Sequence, residues 1–199
     1  MKTPAVVGFY GKSDAGKTLL ITKLIYRLTN GGYKVATIKI TDKEVSLDGR
    51  GKDTWRHSQA GAELVALSSP IETSYIVRER RDERRIIWDI AKLGQYDVIL
   101  VEGARDPSIP KIQIGDAERR DNTVGIYKDN FEEIIEIIKR EITKIKQSAN
   151  DKTIIIRVNG KTIPLGDFPS VFIKNTIVGM LRSLKGVDRV DKVEIFFGY

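Results

Sequence analysis

The sequence predicts an α/β protein with a mostly parallel sheet flanked by helices, followed by a small ββαβ module. Three observations support this fold class. Strand-like and helix-like segments alternate along most of the chain. A glycine-rich loop, Gly11 to Thr18, joins the first strand to the first helix. The run DVILVEG at 97–103 is apolar from Val98 to Val101, which is typical of a strand buried in a parallel sheet.

The strands are assigned from short runs of β-branched and aromatic residues with turn residues at their ends. They are expected at 5–10, 33–40, 63–69, 74–80, 96–103, 111–115 and 122–128. The helices are assigned from apolar residues that recur every three or four positions, together with capping residues. They are expected from 17 to a stop at Gly31–Gly32, from a cap at Asp53 to about 62, from a cap at Asp82 to a stop at Gly94, and over 129–147.

The character of the chain changes near residue 150. An Asn159–Gly160 hairpin signal separates two strand-like runs, and a helix over 168–186 and a closing strand at 191–197 are expected to follow. We therefore expect two domains. The first is a nucleotide-binding domain at 1–150, and the second is a small accessory ββαβ module at 151–199.

Composition excludes several classes of protein. The chain has 199 residues and no cysteine, which rules out disulfides, thiolate metal sites and a cysteine nucleophile. No apolar run approaches the roughly 18 residues that a membrane span requires. The N-terminal segment MKTPAVVGFYG enters a strand at once and does not resemble a signal peptide. These features favour a cytoplasmic protein that does not contact membranes.

The formal net charge of +7 leaves three interpretations: nucleic acid, an anionic small ligand, or no specific partner. The densest basic stretch is RERRDERR at 78–85, which also contains three acidic residues. A nucleic-acid surface would be expected to have aromatic residues among the arginines, and this stretch has none. A solvated strand end and helix start explains the stretch better, so we do not expect nucleic acid as a partner.

The loop Gly11-x-x-x-x-Gly16-Lys17-Thr18 fits the phosphate-binding P-loop pattern, with a strand before it and a helix after it. Gly11 and Gly16 allow successive N–H groups to turn toward one anion, and the helix N-terminus adds partial positive charge. Lys17 can reach the β- and γ-phosphates, and the Thr18 hydroxyl can ligate Mg²⁺. The sequence therefore predicts a P-loop NTPase-like domain that binds GTP or ATP with Mg²⁺. The predicted nucleotide-binding residues here are Gly11, Lys12, Ser13, Asp14, Ala15, Gly16, Lys17, Thr18 and Leu19.

Lys12 places a second lysine directly after the first glycine of the loop. The resulting pattern GKxxxGKT occurs in deviant P-loop ATPases that dimerise face to face, where this lysine reaches the partner's nucleotide. The alternative is a solvated lysine on the lip of the loop.

A second acidic group is expected to reach the metal from a neighbouring strand, and Glu102 at the end of DVILVEG is the candidate. We predict Lys17 and Glu102 as catalytic residues and Thr18 and Glu102 as metal ligands; alternatively, Glu102 is a structural acid paired with a lysine. The sequence contains no NKxD motif for reading guanine. A base contact could lie at Tyr127–Asp129, although helix capping by Asp129 is the favoured interpretation.

Two further segments accompany the P-loop, namely DGRGKDTWRHSQAGAELVALSS and DVILVEGARDPSIPKIQI. Together the three motifs resemble the molybdopterin-guanine dinucleotide biosynthesis protein B (MobB) family over about residues 4–130. The family has a loop reading roughly D-x-x-G-K-D-S/T-aromatic, a helix ending A-G-A, a strand D-x-I-L-V-E-G and a segment ending P-K-I. The matching positions here are Asp48, Gly51, Lys52, Asp53, Thr54, Trp55, 60–62, 97–103 and 110–112.

The resemblance implies a dimeric GTP-binding protein of the molybdenum-cofactor pathway. It also implies an adaptor role toward the guanylyltransferase that joins GMP to molybdopterin, with at most slow GTPase activity. Two features depart from the family pattern. The histidines that often follow the lysine of the second strand are absent after Lys39, and the C-terminal module exceeds the minimal bacterial form.

Two alternatives remain: an ATP-dependent small-molecule kinase or ligase, and a dimeric deviant-P-loop ATPase that drives partitioning or metal insertion. Lys12 favours the last, whereas the lack of any Cys or His cluster argues against metal insertion. The sole histidine, His57, is either an exposed helical residue or a ligand contact.

The loop Asp48 to Asp53 is predicted to form a second anion site on the rim of the P-loop, with molybdopterin as a further candidate ligand. Lys52 and Asp53 are its principal candidates. The alternative is a surface loop in which Asp53 only caps the next helix.

Overall fold

The computed structural model describes residues 3–150, 156–158, 161–163, 167–185 and 193. Strands and helices follow one another in the order that the sequence predicts. Their bounds are β1 Ala5–Tyr10, α1 Lys17–Asn30, β2 Val35–Lys39, α2 Asp53–Gln59, β3 Leu64–Ser68, β4 Thr73–Val77, α3 Glu83–Leu93, β5 Val98–Glu102, β6 Lys111–Ile114, β7 Thr123–Tyr127, α4 Phe131–Asn150, β8 Ile156–Val158, β9 Lys161–Ile163 and α5 Asp167–Arg182.

Five strands form the central sheet in the order β2-β5-β1-β6-β7, and every neighbouring pair is parallel. The first strand therefore lies in the middle, between β5 and β6. Because the strands are parallel, their carboxyl ends share one rim, where ligands bind in sheets of this kind. Glu102 is the last residue of β5 and lies in register with Phe9 of β1 and Lys39 of β2. The predicted fold class is confirmed.

Both faces of the sheet are covered. Ile99 and Val101 of β5 form one buried cluster, against which Ile86, Ile87 and Ile90 of α3 pack. Val98 and Leu100 alternate with them and are fully buried, so they lie on the opposite face. The long apolar stripes of α1 and α4 supply further buried residues, namely Leu20, Ile21, Leu24 and Leu28 from α1 and Ile134, Ile135, Ile138 and Ile142 from α4.

Two connections in the sheet are shorter than parallel pairing usually requires. The segments 103–110, from β5 to β6, and 115–122, from β6 to β7, contain no helix. A connection between two parallel strands commonly has about a dozen residues or more and usually includes a helix. We refer to these segments as the first and second crossovers; polar side chains hold both in place, as described below.

Strands β3 and β4 pair antiparallel and form a two-stranded sheet of their own. Helix α2 leads into this hairpin. The prediction that Asp53 caps α2 was wrong: Lys52 occupies the N-cap position with an extended backbone, and Asp53 is the first helical residue. There the Asp53 carboxylate lies 3.7 Å from the Arg56 guanidinium. Its negative charge also interacts favourably with the helix dipole.

The other predicted caps have different outcomes. Asp82 caps α3 as predicted, because its side chain accepts a hydrogen bond from the Arg85 amide. The preferred interpretation of Asp129 as a helix cap was wrong. Asn130 directly precedes α4, and its carbonyl oxygen accepts the amide of Ile134. Asp129 has a left-handed backbone with φ 60° and belongs to the turn that leads into the helix.

The chain divides into two compact units, Met1–Ile142 and Thr143–Tyr199. In the second unit β8 and β9 pair antiparallel, and α5 follows. The predicted Asn159–Gly160 turn lies outside the described residues, as does the predicted closing strand at 191–197 apart from Val193. The domain boundary near residue 150 stays a prediction. Within the described part of the chain, no helix combines the length and apolarity that a membrane crossing demands.

Candidate functional site

The P-loop leaves β1 at the centre of the sheet and ends at the start of α1. Gly11 must be a glycine, because a Cβ at this position would collide with the carbonyl oxygen of Ile114. Asp14 and Gly16 have left-handed backbones with φ 60° and 80°, and Gly16 occupies the N-cap position of α1. Such alternating backbone conformations form anion-binding nests, and the N-terminus of α1 adds its partial positive charge.

Lys17 is the first residue of α1, and its side chain folds back over the loop. The ammonium group donates hydrogen bonds to the carbonyl oxygens of Gly11, at 3.0 Å, and Lys12. These contacts keep a positive charge beside the predicted phosphate position.

Thr18 and Glu102 meet as the sequence predicts for a metal-binding pair. The Thr18 hydroxyl oxygen lies 3.2 Å from Oε1 and 3.1 Å from Oε2 of Glu102. Lys39, at the end of β2, lies with its ammonium nitrogen 3.2 Å from the same Oε1. The structure therefore contains the lysine pairing of the alternative interpretation. Glu102 as a metal ligand stays a prediction.

A hydroxyl beside a carboxylate fits the way Mg²⁺ binds in nucleotide sites, where it keeps several waters and takes few protein ligands besides substrate phosphates. Among the residues that the structure describes, no three His, Cys, Asp or Glu side chains cluster to form a metal site made by protein alone. Thr18 and Glu102 would hold the ion.

The backbone around Glu102 is fixed on both sides. The Ile40 amide donates to the Glu102 carbonyl oxygen at 2.8 Å, and the Gly103 amide donates to Phe9 at 2.8 Å. Gly103 has φ 84°, and a Cβ there would lie 2.5 Å from the carbonyl oxygen of Ile40. The Glu102 backbone is thus held between β1 and β2, which sets the position of its carboxylate.

Lys111 holds the first crossover, and sequence reasoning missed this role. Its side chain is fully buried, and its ammonium donates to the carbonyl oxygens of Asp106, Ile109 at 2.9 Å and Asp121 at 3.1 Å. Burial lowers the pKa of Lys111, while the nearby Glu83 carboxylate opposes that shift. A lysine directly before the apolar strand residue Ile112 was the available signal.

The N-terminus of α3 holds the same crossover from its other side. Glu83 Oε2 accepts the backbone amides of Arg105 and Asp106, each at 2.9 Å. The Arg84 guanidinium pairs with the Asp106 carboxylate, and this hydrogen bond lowers the pKa of Asp106. The segment that follows Glu102 is therefore tied to α3 by side chains and backbone together.

Tyr10 holds the second crossover and was also missed. Its buried hydroxyl donates to Gln113 Oε1 at 3.0 Å and accepts the Arg120 amide at 3.1 Å. The Arg120 guanidinium lies 4.9 Å from the Tyr10 ring centre and donates to the Ala104 carbonyl oxygen at 2.7 Å. Arg120 therefore links the two crossovers. A tyrosine at the last position of a buried strand was the only sequence signal.

Lys12 pairs within its own chain. Its ammonium lies 3.6 Å from Asp116 in the second crossover, with both side chains mostly exposed. Exposed pairs of this kind contribute little to stability. A reach across a dimer stays a prediction.

The loop Asp48 to Asp53 is organised by a buried carboxylate. The Asp48 side chain, which is 2% exposed, lies 3.1 Å from Arg78 and accepts the Thr54 hydroxyl at 2.9 Å. Lys52 and Asp53 are exposed. The structure therefore attaches this loop to the end of β4, and the second anion site stays a prediction.

Two further candidates, His57 and the segment Tyr127–Asp129, lie on α2 and at the end of β7. His57 is exposed on α2. Tyr127, the last residue of β7, lines an open groove of about 590 Å³ together with Tyr26 of α1 and Phe131 of α4. A base contact at Tyr127–Asp129 stays a prediction.

Comparisons with known proteins agree with this geometry. The sequence profile of the family "Molybdopterin guanine dinucleotide synthesis protein B" (MobB) matches residues 6–140. A protein of Methanocaldococcus jannaschii is 30% identical over 96% of this chain and 97% of its own length. It carries the provisional name molybdopterin-guanine dinucleotide biosynthesis adapter protein. The adapter protein of the same name from Haemophilus influenzae is 33% identical over 54% of this chain and 61% of its own length.

Among solved structures, Bacillus subtilis MobB superposes with a TM-score of 0.56 at 18% identity, covering 69% of this chain and 97% of its own. At that identity the superposition shows the fold alone. The family profile and the nearly full-length relative carry the assignment further, because they match the segments that contain the P-loop and Glu102. The chain belongs to the MobB family of molybdopterin guanine dinucleotide synthesis proteins.

Proposed function

We propose that this chain binds GTP with Mg²⁺ at its P-loop and acts as a cytoplasmic adaptor to the molybdopterin guanylyltransferase. The observation that carries the proposal is the Thr18–Glu102 pair beside Lys17, since it sets a metal-binding hydroxyl and carboxylate next to a phosphate-binding lysine. The adaptor role comes from the names of the relatives, which are adapter proteins of molybdopterin-guanine dinucleotide biosynthesis.

The chain's own groups bind and orient the triphosphate. The N–H groups of the P-loop and the Lys17 ammonium attract the β- and γ-phosphates, and Thr18 and Glu102 fix the metal position. Mg²⁺, when bound, neutralises charge on the phosphate oxygens. If the Lys17 ammonium moved from its carbonyl partners to a phosphate, its hydrogen bonds would become stronger, because charged acceptors bind more strongly than neutral ones.

Hydrolysis in the isolated chain is proposed to be slow. Fast P-loop hydrolysis requires a residue that orients water and a cation that stabilises the transition state. The three arginines of the two crossovers are engaged elsewhere: Arg105 with Asp42 at 2.5 Å, Arg119 with the Thr123 carbonyl oxygen at 3.4 Å, and Arg120 with the Ala104 carbonyl oxygen. A turnover above about 1 per second without a partner would contradict the adaptor proposal.

Calorimetric titration with GTP and ATP, each with Mg²⁺ and with EDTA, tests which nucleotide the chain prefers and whether binding depends on Mg²⁺. The proposal predicts tighter binding of GTP than of ATP and a dependence on Mg²⁺. Preference for ATP, together with phosphate transfer to a small acceptor, would instead support a kinase or ligase. ATP preference with dimerisation that depends on Lys12 would support the deviant P-loop ATPase.

A homodimer is the proposed assembly, since symmetric pairs are the commonest oligomers and the family resemblance implies one. Light scattering that shows a monomer at tens of micromolar protein would contradict it.

The exposed Lys52 and Asp53 are proposed to meet molybdopterin or the partner enzyme. The double variant Lys52→Ala, Asp53→Ala is expected to keep nucleotide affinity and to lose support of dinucleotide formation in a reconstituted assay. Full support by this variant would overturn that part of the proposal.

A further inference from the structure

Lys39 stands beside the predicted metal position and is assigned no role by the P-loop pattern. It is the last residue of β2 and lies directly opposite Glu102, the last residue of β5. The Lys39 side chain is 64% exposed, whereas that of Glu102 is 14% exposed. A largely exposed cation therefore meets a largely buried carboxylate.

One oxygen atom is shared between two contacts. Glu102 Oε1 lies 3.2 Å from the Lys39 ammonium nitrogen and 3.2 Å from the Thr18 hydroxyl oxygen. The ammonium and the hydroxyl can therefore be no farther apart than twice that distance. A divalent ion held by Thr18 and Glu102 would lie close to the ammonium, and the two positive charges would compete for the same carboxylate.

A bound anion at the same rim would give the displaced ammonium a new partner. The terminal phosphate of a bound triphosphate would lie at this rim, between the P-loop and the metal. The lysine side chain has a flexible four-carbon stem, which allows such an exchange of partners. A diphosphate would offer no acceptor at this position.

We propose that Lys39 is a specificity-determining residue. It neutralises Glu102 while the site holds no triphosphate, opposes binding of a divalent metal alone, and passes to the terminal phosphate when metal and nucleoside triphosphate bind together. The proposal rests on the proposed nucleotide and metal site. Under this proposal, metal affinity depends on bound nucleotide, and the site prefers a triphosphate to a diphosphate.

The test uses Mn²⁺ as the metal probe, titrated into the full chain and followed by electron paramagnetic resonance. Without nucleotide, Lys39→Met is expected to bind Mn²⁺ at least roughly tenfold more tightly than the parent, because one nearby positive charge is gone. Lys39→Arg keeps the charge and is expected to behave as the parent does. The preference for GTP over GDP, measured by calorimetry with Mg²⁺, is also expected to be about tenfold smaller in Lys39→Met than in the parent.

Lys34→Met is the matched control, because Lys34 is exposed and precedes the same strand at its amino end. It changes net charge equally but lies away from the rim and should match the parent. Equal Mn²⁺ affinity in Lys39→Met and the parent would overturn the proposal. Equal tightening in Lys39→Met and Lys34→Met would also overturn it, since the effect would be one of net charge.

Failure of the proposed function is distinguishable from failure of this inference. If the parent binds neither GTP nor ATP, the proposed function is wrong, and the nucleotide-free Mn²⁺ titration still decides whether Lys39 opposes the metal. Thermal unfolding by circular dichroism checks that each variant is folded. Lys39→Gln provides a second neutral variant with the same expected direction.

Discussion

At the scale of single residues, Glu102 has the most consequences, because Thr18 and Lys39 both contact its carboxylate and the Ile40 amide donates to its carbonyl oxygen. Its position at the carboxyl end of a buried strand could be predicted from DVILVEG alone. Its pairing with Lys39 could not be predicted, because neither the β2 segment nor the β5 segment shows that these two strands are neighbours in the sheet.

Glu102→Gln keeps the shape of the side chain and removes its charge. We expect the Mg²⁺-dependent part of nucleotide affinity to fall about tenfold, since a charged ligand to the metal is lost. Affinity measured in EDTA should change little. Calorimetry in both conditions checks this, with the exposed Glu136→Gln as the control. An unchanged dependence on Mg²⁺ would show that Glu102 is not a metal ligand.

Lys111→Met tests the buried cation of the first crossover. The substitution leaves backbone carbonyls unsatisfied in the interior and removes the partner charge of Glu83. We expect unfolding free energy to fall by about 3 kcal/mol or more. Urea unfolding measures this directly. The exposed Lys128→Met should stay within about 0.5 kcal/mol of the parent, and a similarly small loss for Lys111→Met would contradict its structural role.

At the scale of elements, the two crossovers explain why several side chains of the first unit bind backbone groups. Helices usually connect parallel strands and satisfy their own backbone groups. Here side chains of Lys111, Glu83 and Arg120 perform that role for extended segments. Periodicity predicted the surrounding strands and helices well because they follow repeating patterns. These contacts join residues that are far apart in the sequence, so no local pattern predicts them.

The same reasoning separates the two helix starts. Asp82 was predicted as a cap and is one, because it directly precedes a strongly periodic helix. Asp53 entered α2 instead, since Asp48 and Arg78 position the preceding loop and so decide where the helix begins. Long-range contacts overrode the local preference.

The Arg84–Asp106 pair between α3 and the first crossover predicts how stability depends on pH. Arg84 lowers the pKa of Asp106, so the folded state binds fewer protons at this carboxyl than the unfolded state does. The resulting stabilisation is fully present above the unfolded value of about 3.9 and is lost as pH falls below it. Urea unfolding between about pH 5 and pH 2 should show this loss in the parent. Asp106→Asn should flatten the acid limb, and an unaltered limb would contradict the pairing.

At the scale of the whole molecule, the family profile ends near the start of the second unit, whereas the Methanocaldococcus jannaschii relative matches 96% of this chain. The profile covers residues 6–140, and Bacillus subtilis MobB covers 69% of this chain with 97% of its own. The prediction of an added module rests on the change in character near residue 150 and on the Asn-Gly signal, and it stays a prediction.

Removing residues 151–199 should leave nucleotide affinity within about threefold of the full chain, because every described contact of Lys17, Thr18 and Glu102 lies in the first unit. Calorimetry with GTP and Mg²⁺ on the truncated chain checks this. A loss greater than about tenfold in a folded truncation would show that the module completes the site.

The measurement that tests the central claim most directly is calorimetric titration of the full chain with GTP and Mg²⁺, comparing the parent with Lys17→Ala and with Lys34→Ala. Lys17 donates to the P-loop carbonyls, whereas Lys34 is exposed and precedes β2 at the other end of the sheet. A charge-assisted phosphate contact is worth about 1.5–3 kcal/mol, so Lys17→Ala should weaken binding at least roughly tenfold. Lys34→Ala should bind as the parent does. Parent-like affinity in Lys17→Ala, or no binding by the parent, would contradict nucleotide binding at this loop.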